Sequence, residues 1–439
     1  MAAKRELDIV LLGATGYTGK LCAQYITANL PTNIKWAIAG RSQSKLDALA
    51  SDLKTLNSTR TPPTVITIAQ LTSPELLPLA KKTRVLINAV GPYHLYSSPV
   101  VESCAKSGTH YIDATGETPW IKQMIQTHES TAKSSGAILI PAVGLESAPS
   151  DLIAFKATQL IRKVWDCGVM DMVTSIHELK TSGASGGTLT TGLSLFESFP
   201  AGELKKTMSD PFCLSPSHLR PYTKDTIYPR SPEPNTYSRT AFQKLTGAWS
   251  FPRLGNLTTS LTARPNEAVV HRSAGLDPYF YGFNFSYEEY MGVSSAAVGI
   301  LVHFAIAFLS LCLAFPPTRL IFKLLAPYKP GFGPKEDAGK TDVVEFRGVA
   351  IAEQLSKTPR KALASFRYEG GSVYALTGLL MAEAAVTLLD PKVEEKIRGK
   401  FGGGQFLTPA SLGDAFTDRV GKAEGVTLEV RQIGDVGSK

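Results

Sequence analysis

Cysteine is scarce. Five cysteines (22, 104, 167, 213 and 312) are scattered through 439 residues, and none forms a C-x-x-C pair. This spacing excludes a thiolate metal site and a disulfide framework, and points to a reducing compartment. Charge is also sparse, at 19% of residues, with a net charge of +8 that is too diffuse to organise a nucleic-acid surface. It remains compatible with anionic lipid or a phosphorylated ligand. The opening MAAKRELDIV runs straight into an apolar stretch, leaving no room for a signal peptide, so a cytoplasmic location is expected. Acid is missing where the second apolar run ends, and Asp, Glu, Lys and Arg are all missing between Tyr290 and Thr318. With 43% hydrophobic residues, the chain is long enough for two globular domains.

The first of those apolar runs has a particular ending. Ile9, Val10, Leu11 and Leu12 lead into Gly13-x-x-Gly16-x-x-Gly19, and a helical pattern follows (Leu21, Tyr25, Ile26, Leu30) until Pro31. A buried strand, a glycine turn and a helix make a dinucleotide site. Backbone N–H groups at the helix start face a pyrophosphate, and glycine lets the backbone approach it. Gly13, Thr15, Gly16, Tyr17, Thr18 and Gly19 are the candidate contacts. The second run, IKWAIAGRS (34–42), ends in Arg41 and Ser42 with Lys45 beyond, and has no acid before Asp47. An NAD site would place an acid there for the ribose 2′-hydroxyl. A guanidinium instead stacks on adenine and pairs with a 2′-phosphate, so NADP(H) is the expected cofactor.

Further strand signals lie at 64–70, 84–93, 110–117 and 137–147, mostly separated by helical stretches. The expected fold is therefore α/β, with a Rossmann-type doubly wound parallel sheet over 1–148. Val90, Gly91 and Pro92 sit at the carboxyl tip of one strand, where open sheets bind ligands. Tyr93 follows; it either reaches the nicotinamide or substrate, or packs as an ordinary aromatic. A second α+β domain is expected over 149–370, carrying substrate and dimer contacts. Within it TSGASGGTLTTGLSLFES (181–198) is another glycine-rich turn into a helix, and 205–255 holds seven prolines and reads as a long loop. Residues 371–439 are expected to return to the nucleotide domain as helices and a strand.

In this order the chain resembles the saccharopine dehydrogenase-like oxidoreductases, a family that includes trans-acting enoyl reductases. The matching stretches are GATGYTG (13–19), AGRS with Lys45-Leu46 and INAVGPYHLYSSPVVESCAKSGTHYIDATGE (87–117). ASGGT (184–188), RPNEAVVHRS (264–273), PGFGPKE (330–336) and GGGQFLTPASLGDAF (402–416) complete them. Two departures stand out. A Cys-Gly-x-Asp-Ser-type segment is replaced by Val143-Gly144-Leu145-Glu146-Ser147, and an aspartate near the third strand's end is replaced by Gln70. The resemblance implies an NADPH-dependent reductase of an apolar, carrier-bound enoyl or imine substrate, with a partner synthase, in lipid, polyketide or secondary metabolism. It also implies Gly144 as a further cofactor contact.

The uncharged core, 296–315, is 20 residues long, roughly 30 Å as a helix and comparable to the hydrocarbon thickness of a bilayer. Pro316-Pro317 breaks it, and Arg319 and Lys323 follow on what reads as an amphipathic helix. If the C-terminal part returns to the nucleotide domain, both ends of this apolar segment (290–327) must lie on one side. A hairpin or shallow insertion at a membrane or lipid-droplet surface satisfies that. The other reading is a core or homodimer-interface helix, which His303 in mid-segment favours. For proton donation the candidates are Tyr93, Glu146, Ser185 and His271. Each also has a structural reading: packing, a helix N-terminal charge, a turn hydroxyl and a strand residue, respectively. No Tyr-x-x-x-Lys pair of the short-chain dehydrogenase kind follows the nucleotide region. Three functions stay open: an NADPH-dependent reductase, an NADP-binding sensor without turnover, and a structural protein of lipid surfaces.

Overall fold

The computed structural model describes residues 5–216, 239–325, 328–329, 331–354 and 359–434. In chain order the strands are β1 (Leu7–Leu12), β2 (Trp36–Gly40), β3 (Thr64–Thr67), β4 (Thr83–Asn88), β5 (His110–Asp113), β6 (Ile138–Ile140) and β7 (Val169–Lys180). They continue with β8 (Trp249–Phe251), β9 (Gly255–Thr258), β10 (Ser286–Val293), β11 (Val343–Ala352), β12 (Lys361–Glu369), β13 (Gln405–Phe406) and β14 (Val426–Ile433). The first sheet runs β13-β6-β5-β4-β1-β2-β3, parallel throughout. Its order reverses between β4 and β1, the place where doubly wound sheets open a crevice for ligands.

β1 reads as unbroken apolar sequence because helices cover both of its faces. Ile9 and Leu11 join a core on one side, Val10 and Leu12 a core on the other, and all four are at most 1% exposed. The first face is covered partly by the helix Tyr17–Asn29 and, from far along the chain, by the helix Val373–Leu388. The latter is apolar nearly all round, as a helix enclosed on all sides should be. Gly378 marks the contact, since a Cβ there would stand 2.8 Å from the backbone N of Cys22. The C-terminal region thus returns to the nucleotide-binding sheet through this helix and through β13.

The second sheet runs β14-β12-β11-β7-β10-β9-β8, antiparallel except between β7 and β10. β14 corrects one expectation. VTLEV does not pack on the first sheet but forms the edge of the second, paired with β12. Its residues alternate between inward and outward faces, which fits a sheet edge with one side in water. The expected loop 205–255 overlaps the helix Ala201–Ser209 and contains the helix Ala241–Thr246 and β8. Residues 217–238 lie outside the described residues.

The apolar segment is not enclosed. Ala296–Ala314 is one helix, and Pro316–Leu325 a second joined to it through Phe315. Leu301, Phe308 and Leu311 are 71%, 68% and 68% exposed, so the reading of a helix buried within one subunit fails. His303 faces inward, with Nδ1 2.7 Å from Thr259 Oγ1, which reconciles a histidine with an otherwise apolar helix. Arg319 is also turned inward, at 8% exposure, and does not extend a basic face to the outside as its spacing suggested. The side chain of Lys323 lies outside the described residues.

Candidate functional site

The glycine turn is built from three different requirements. Gly13 has a φ of +82°, and a Cβ there would lie 2.8 Å from Val90 Cγ2. Val90 is therefore the floor of the turn. Gly19 is needed for packing, since its Cβ would fall 2.2 Å from Gly13 O. Gly16 is the least constrained by the protein itself: its Cβ would meet only Gly13 O, at 3.3 Å. It precedes the helix Tyr17–Asn29, which has no side-chain cap and no acid in its first turn. That end presents backbone N–H groups and the positive end of the helix dipole to an anion. Thr15, Gly16, Tyr17 and Thr18 are all half-buried around it. These features fit the pyrophosphate of a dinucleotide.

At the tip of β2, Arg41 and Lys45 are exposed. The nearest acid, Asp47, is engaged by Gln43, whose Nε2 donates to Oδ1 at 2.8 Å. Ser42 Oγ lies 3.3 Å from Ser44 Oγ. Arg41 makes no ion pair among the described residues, so its guanidinium is available to a 2′-phosphate.

The tips of β4, β5 and β6 supply the other end of the crevice. Asn88 ties the first two together: its Nδ2 donates to Ser97 Oγ at 2.8 Å and Tyr111 OH at 3.1 Å, and its Oδ1 accepts from Val90 N at 3.1 Å. Gly91–Pro92 is a cis peptide. Tyr93 is half-buried beside Trp120, with ring centroids 5.9 Å apart. Among the described residues its hydroxyl makes only long contacts, 3.4 Å each, to Asn88 O and Ala114 N. Burial, and then the charge of Asp113, push the Tyr93 phenol well above 10, so it stays neutral.

Glu117, which sequence reading did not single out, fixes this loop. Oε1 accepts from Tyr93 N at 2.8 Å, and Oε2 accepts from His94 N at 2.7 Å and lies 2.6 Å from His94 Nδ1. Its position at the end of the HYIDATGE run was the one available signal. Glu146 is different. Half-buried, it rests its carboxylate on Gly116, where a Cβ would be 2.1 Å from Oε2, and has no hydrogen-bond partner among the described residues. Burial, and then the charge of Glu117, raise its pKa to about 7. Asp113 is raised to about 7 as well, mainly by burial. Its oxygens, however, are held by Thr115 N, Ala142 N and Tyr111 OH. Of Glu117, Asp113 and Glu146, Glu146 is the one without a partner among the described residues.

Gly144 serves packing. A Cβ would meet Ala114 Cβ at 2.9 Å and Thr377 Cγ2 at 3.3 Å, so the glycine admits the helix Val373–Leu388. Ser185 caps the helix Gly186–Ser198, with its Oγ accepting from Thr188 N at 3.3 Å. Its own N donates to Tyr374 OH at 2.6 Å, and the Tyr374 ring stands edge-on to Tyr17, 5.2 Å away. Tyr17 OH donates to Pro334 O at 2.8 Å, and Gly186 N donates to Phe332 O at 2.9 Å. One end of this helix is thus tied to the glycine turn. At the other end, Phe199 lies 5.9 Å from the His94 ring. The helix roofs the crevice from the phosphate end to the β4 tip.

His271 lies elsewhere and is not a strand residue. It is buried in the helix Ala263–Leu276, with Nδ1 donating to Glu267 O at 2.8 Å and Nε2 accepting from Tyr287 N at 3.1 Å. Burial lowers its pKa to about 4, so it is neutral with both nitrogens committed. Nothing is left for proton transfer. Among the described residues no cluster of His, Cys, Asp and Glu is arranged to hold a metal.

Comparison with known proteins agrees with this geometry. Residues 9–140 match the saccharopine dehydrogenase NADP binding domain. A trans-acting enoyl reductase of Mycobacterium tuberculosis is 30% identical over 98% of this chain and 99% of its own. One from Mycobacterium leprae is 29% identical with the same coverage. Saccharopine dehydrogenase (L-Glu forming) of Saccharomyces cerevisiae, in its apo form, shares the fold with a TM-score of 0.54. Its identity is 12%, with 97% of this chain and 99% of that one covered. The chain belongs to the saccharopine dehydrogenase-like family that includes the trans-acting enoyl reductases, and is an oxidoreductase whose cofactor is NADP(H).

Proposed function

We propose that this protein reduces the conjugated C=C bond of an apolar enoyl substrate, with Glu146 as the proton donor. The observation that carries the reading is the state of that carboxyl: half-buried against Gly116 just past β5, without a hydrogen-bond partner among the described residues, and raised to about 7. Bound NADPH supplies a hydride to the electron-poor β carbon. The α carbon then needs a proton, and a carboxyl with a pKa near the working pH is suited to give one. Tyr93, kept neutral, positions the acyl oxygen or packs against the ring that delivers the hydride. Glu117 holds Tyr93 and the following turn in place. The glycine turn, Arg41, Ser42 and Lys45 bind the cofactor, with 1–148 as the nucleotide domain. Residues 149–370 take the substrate, and 371–439 brace the two.

The mycobacterial relatives carry "trans-acting" in their names. Extended to this chain, the word means a substrate presented on a separate carrier, through contact with a partner synthase. An imine accepts hydride by the same route. We place the reaction at the cytosolic face of a lipid surface, because the apolar hairpin is exposed beside the roof helix.

Glu146→Gln tests the assignment. The variant keeps the shape but cannot give a proton, so kcat should drop about 10²- to 10⁴-fold with NADPH affinity unchanged. In the wild type only the protonated acid is active, so kcat should fall as pH rises through about 7. A variant with wild-type kcat and the same pH profile would remove Glu146 from the mechanism.

A further inference from the structure

We propose that the hairpin of helices 296–314 and 316–325 is a monotopic anchor that enters one leaflet of a phospholipid bilayer, holding the roof of the cleft at the lipid surface. This rests on the reductase reading only for its consequence, a substrate taken from the lipid phase; the anchoring stands on geometry alone. Apart from Ser310, whose hydroxyl donates to Ile306 O, the exposed residues of the first helix are apolar, with Val298, Leu301, Phe304, Phe308 and Leu311 the large ones, and together with the exposed alanines they cover an arc of about 200° at 100° per residue. A partner helix covers a narrower stripe. The apolar surface also continues past the turn, onto Leu320, Ile321 and Leu324, at 60%, 55% and 78% exposure. Phe242 and Leu245, 68% and 70% exposed, extend it sideways on the neighbouring helix Ala241–Thr246. Lipid fits a surface that is apolar on several sides; a second copy fits one seam.

Depth follows from where the helix is held. Gly299 O accepts from Thr258 Oγ1 at 2.7 Å, and among the described residues His303 is the last of this helix with a side-chain hydrogen bond to the body of the protein. Phe304 to Phe315, beyond that hydrogen bond, span on the order of 18 Å at 1.5 Å per residue, short of a hydrocarbon core of about 30 Å. That reaches one leaflet. The chain then turns at Pro316-Pro317 and returns, so that Phe332 O meets Gly186 N and Pro334 O meets Tyr17 OH. Both ends of the hairpin are bound to the body, and both helices pack against the roof helix Gly186–Ser198. Arg319 is buried within this arrangement, so insertion depends on apolar contact more than on anionic headgroups.

The test is flotation of the full chain with vesicles of phosphatidylcholine alone, and with added phosphatidylserine. The wild type should float with both. Leu301→Ser/Phe304→Ser/Phe308→Ser, and separately Leu320→Ser/Leu324→Ser, should stay in the dense fraction while binding NADPH like the wild type. Pro316→Cys on the floated protein should resist an impermeant maleimide trapped inside the vesicles. Lumenal labelling would show a crossing helix and overturn the single-leaflet anchor. A wild type that stays in the dense fraction, above all as a dimer that the serine variants split, would assign the face to a second copy and overturn the proposal. Against an enoyl lipid embedded in the vesicles, the serine variants should lose at least about 10-fold in kcat/KM. Against a short soluble enoyl thioester they should lose nothing. Failure with both substrates while flotation holds would count against the reductase reading and leave the anchor standing.

Discussion

Arg41 carries the choice of cofactor at the scale of single residues. It is exposed, and Gln43 occupies the nearest acid. Arg41→Asp should therefore weaken NADPH binding by about 1–2 kcal/mol, the lower part of the range for a charge-assisted pair because the loop is open to water. NADH should be affected much less. Equal losses for the two cofactors in a titration would deny the 2′-phosphate contact. The residues legible in sequence were those whose role is local. Gly13, Gly16 and Gly19 announce a turn, and a basic tip without acid announces a phosphate. Glu117 and Tyr374 were not legible, because what they do depends on partners at the tips of other elements. His271 misled, because a buried histidine and a catalytic one look alike without their neighbours.

Among the elements, the helix Val373–Leu388 has the widest reach. It covers one face of the first sheet and presses on the helix Tyr17–Asn29 through Gly378. Gly378→Val should push the two helices apart and destabilise the fold by about 1–3 kcal/mol, as overpacking does, measured as a lower denaturant midpoint. The helix Tyr17–Asn29 also carries the phosphate-binding end, so NADPH affinity should fall in the same variant. Unchanged stability would mean that this contact is looser than the geometry requires. Sequence periodicity marked the strands of the first sheet well, since each is a short apolar run between turns. β14 was recognised as a strand but assigned to the wrong sheet: alternation reveals a half-exposed strand and is silent about its neighbour. The apolar segment showed its length and lack of charge, while the inward turn of His303 and Arg319 needed the fold.

For the whole molecule, several carboxyls are held protonated by burial. Glu289 is raised to about 8, and Glu267, Asp151, Asp113 and Glu146 each to about 7. In the unfolded chain these groups ionise near the ordinary 3.8 to 4.5. Between those values and the raised ones, the folded state binds more protons, so stability is greatest at low pH and falls as pH rises. His271 acts in the opposite sense, because its lowered pKa of about 4 makes stability rise with pH until about 6.5. Above that, the carboxyls decide the sign. The melting temperature should therefore decline from pH 6.5 to 8.5, whereas a rise over that interval would contradict the burial of these acids.

The central claim is that the crevice between the β4 and β5 tips and the roof helix performs hydride transfer with proton donation from Glu146. Isotope placement tests it most directly. An α,β-unsaturated acyl thioester is incubated with NADPH deuterated at the transferring position in ordinary water, and separately with unlabelled NADPH in deuterated water. The product is then read by mass spectrometry and NMR. Deuterium from the cofactor is expected at the β carbon and deuterium from solvent at the α carbon, with both signals lost together in Glu146→Gln. Binding of NADPH without reduction of any enoyl or imine substrate, or product formation that is indifferent to Glu146→Gln, would contradict it.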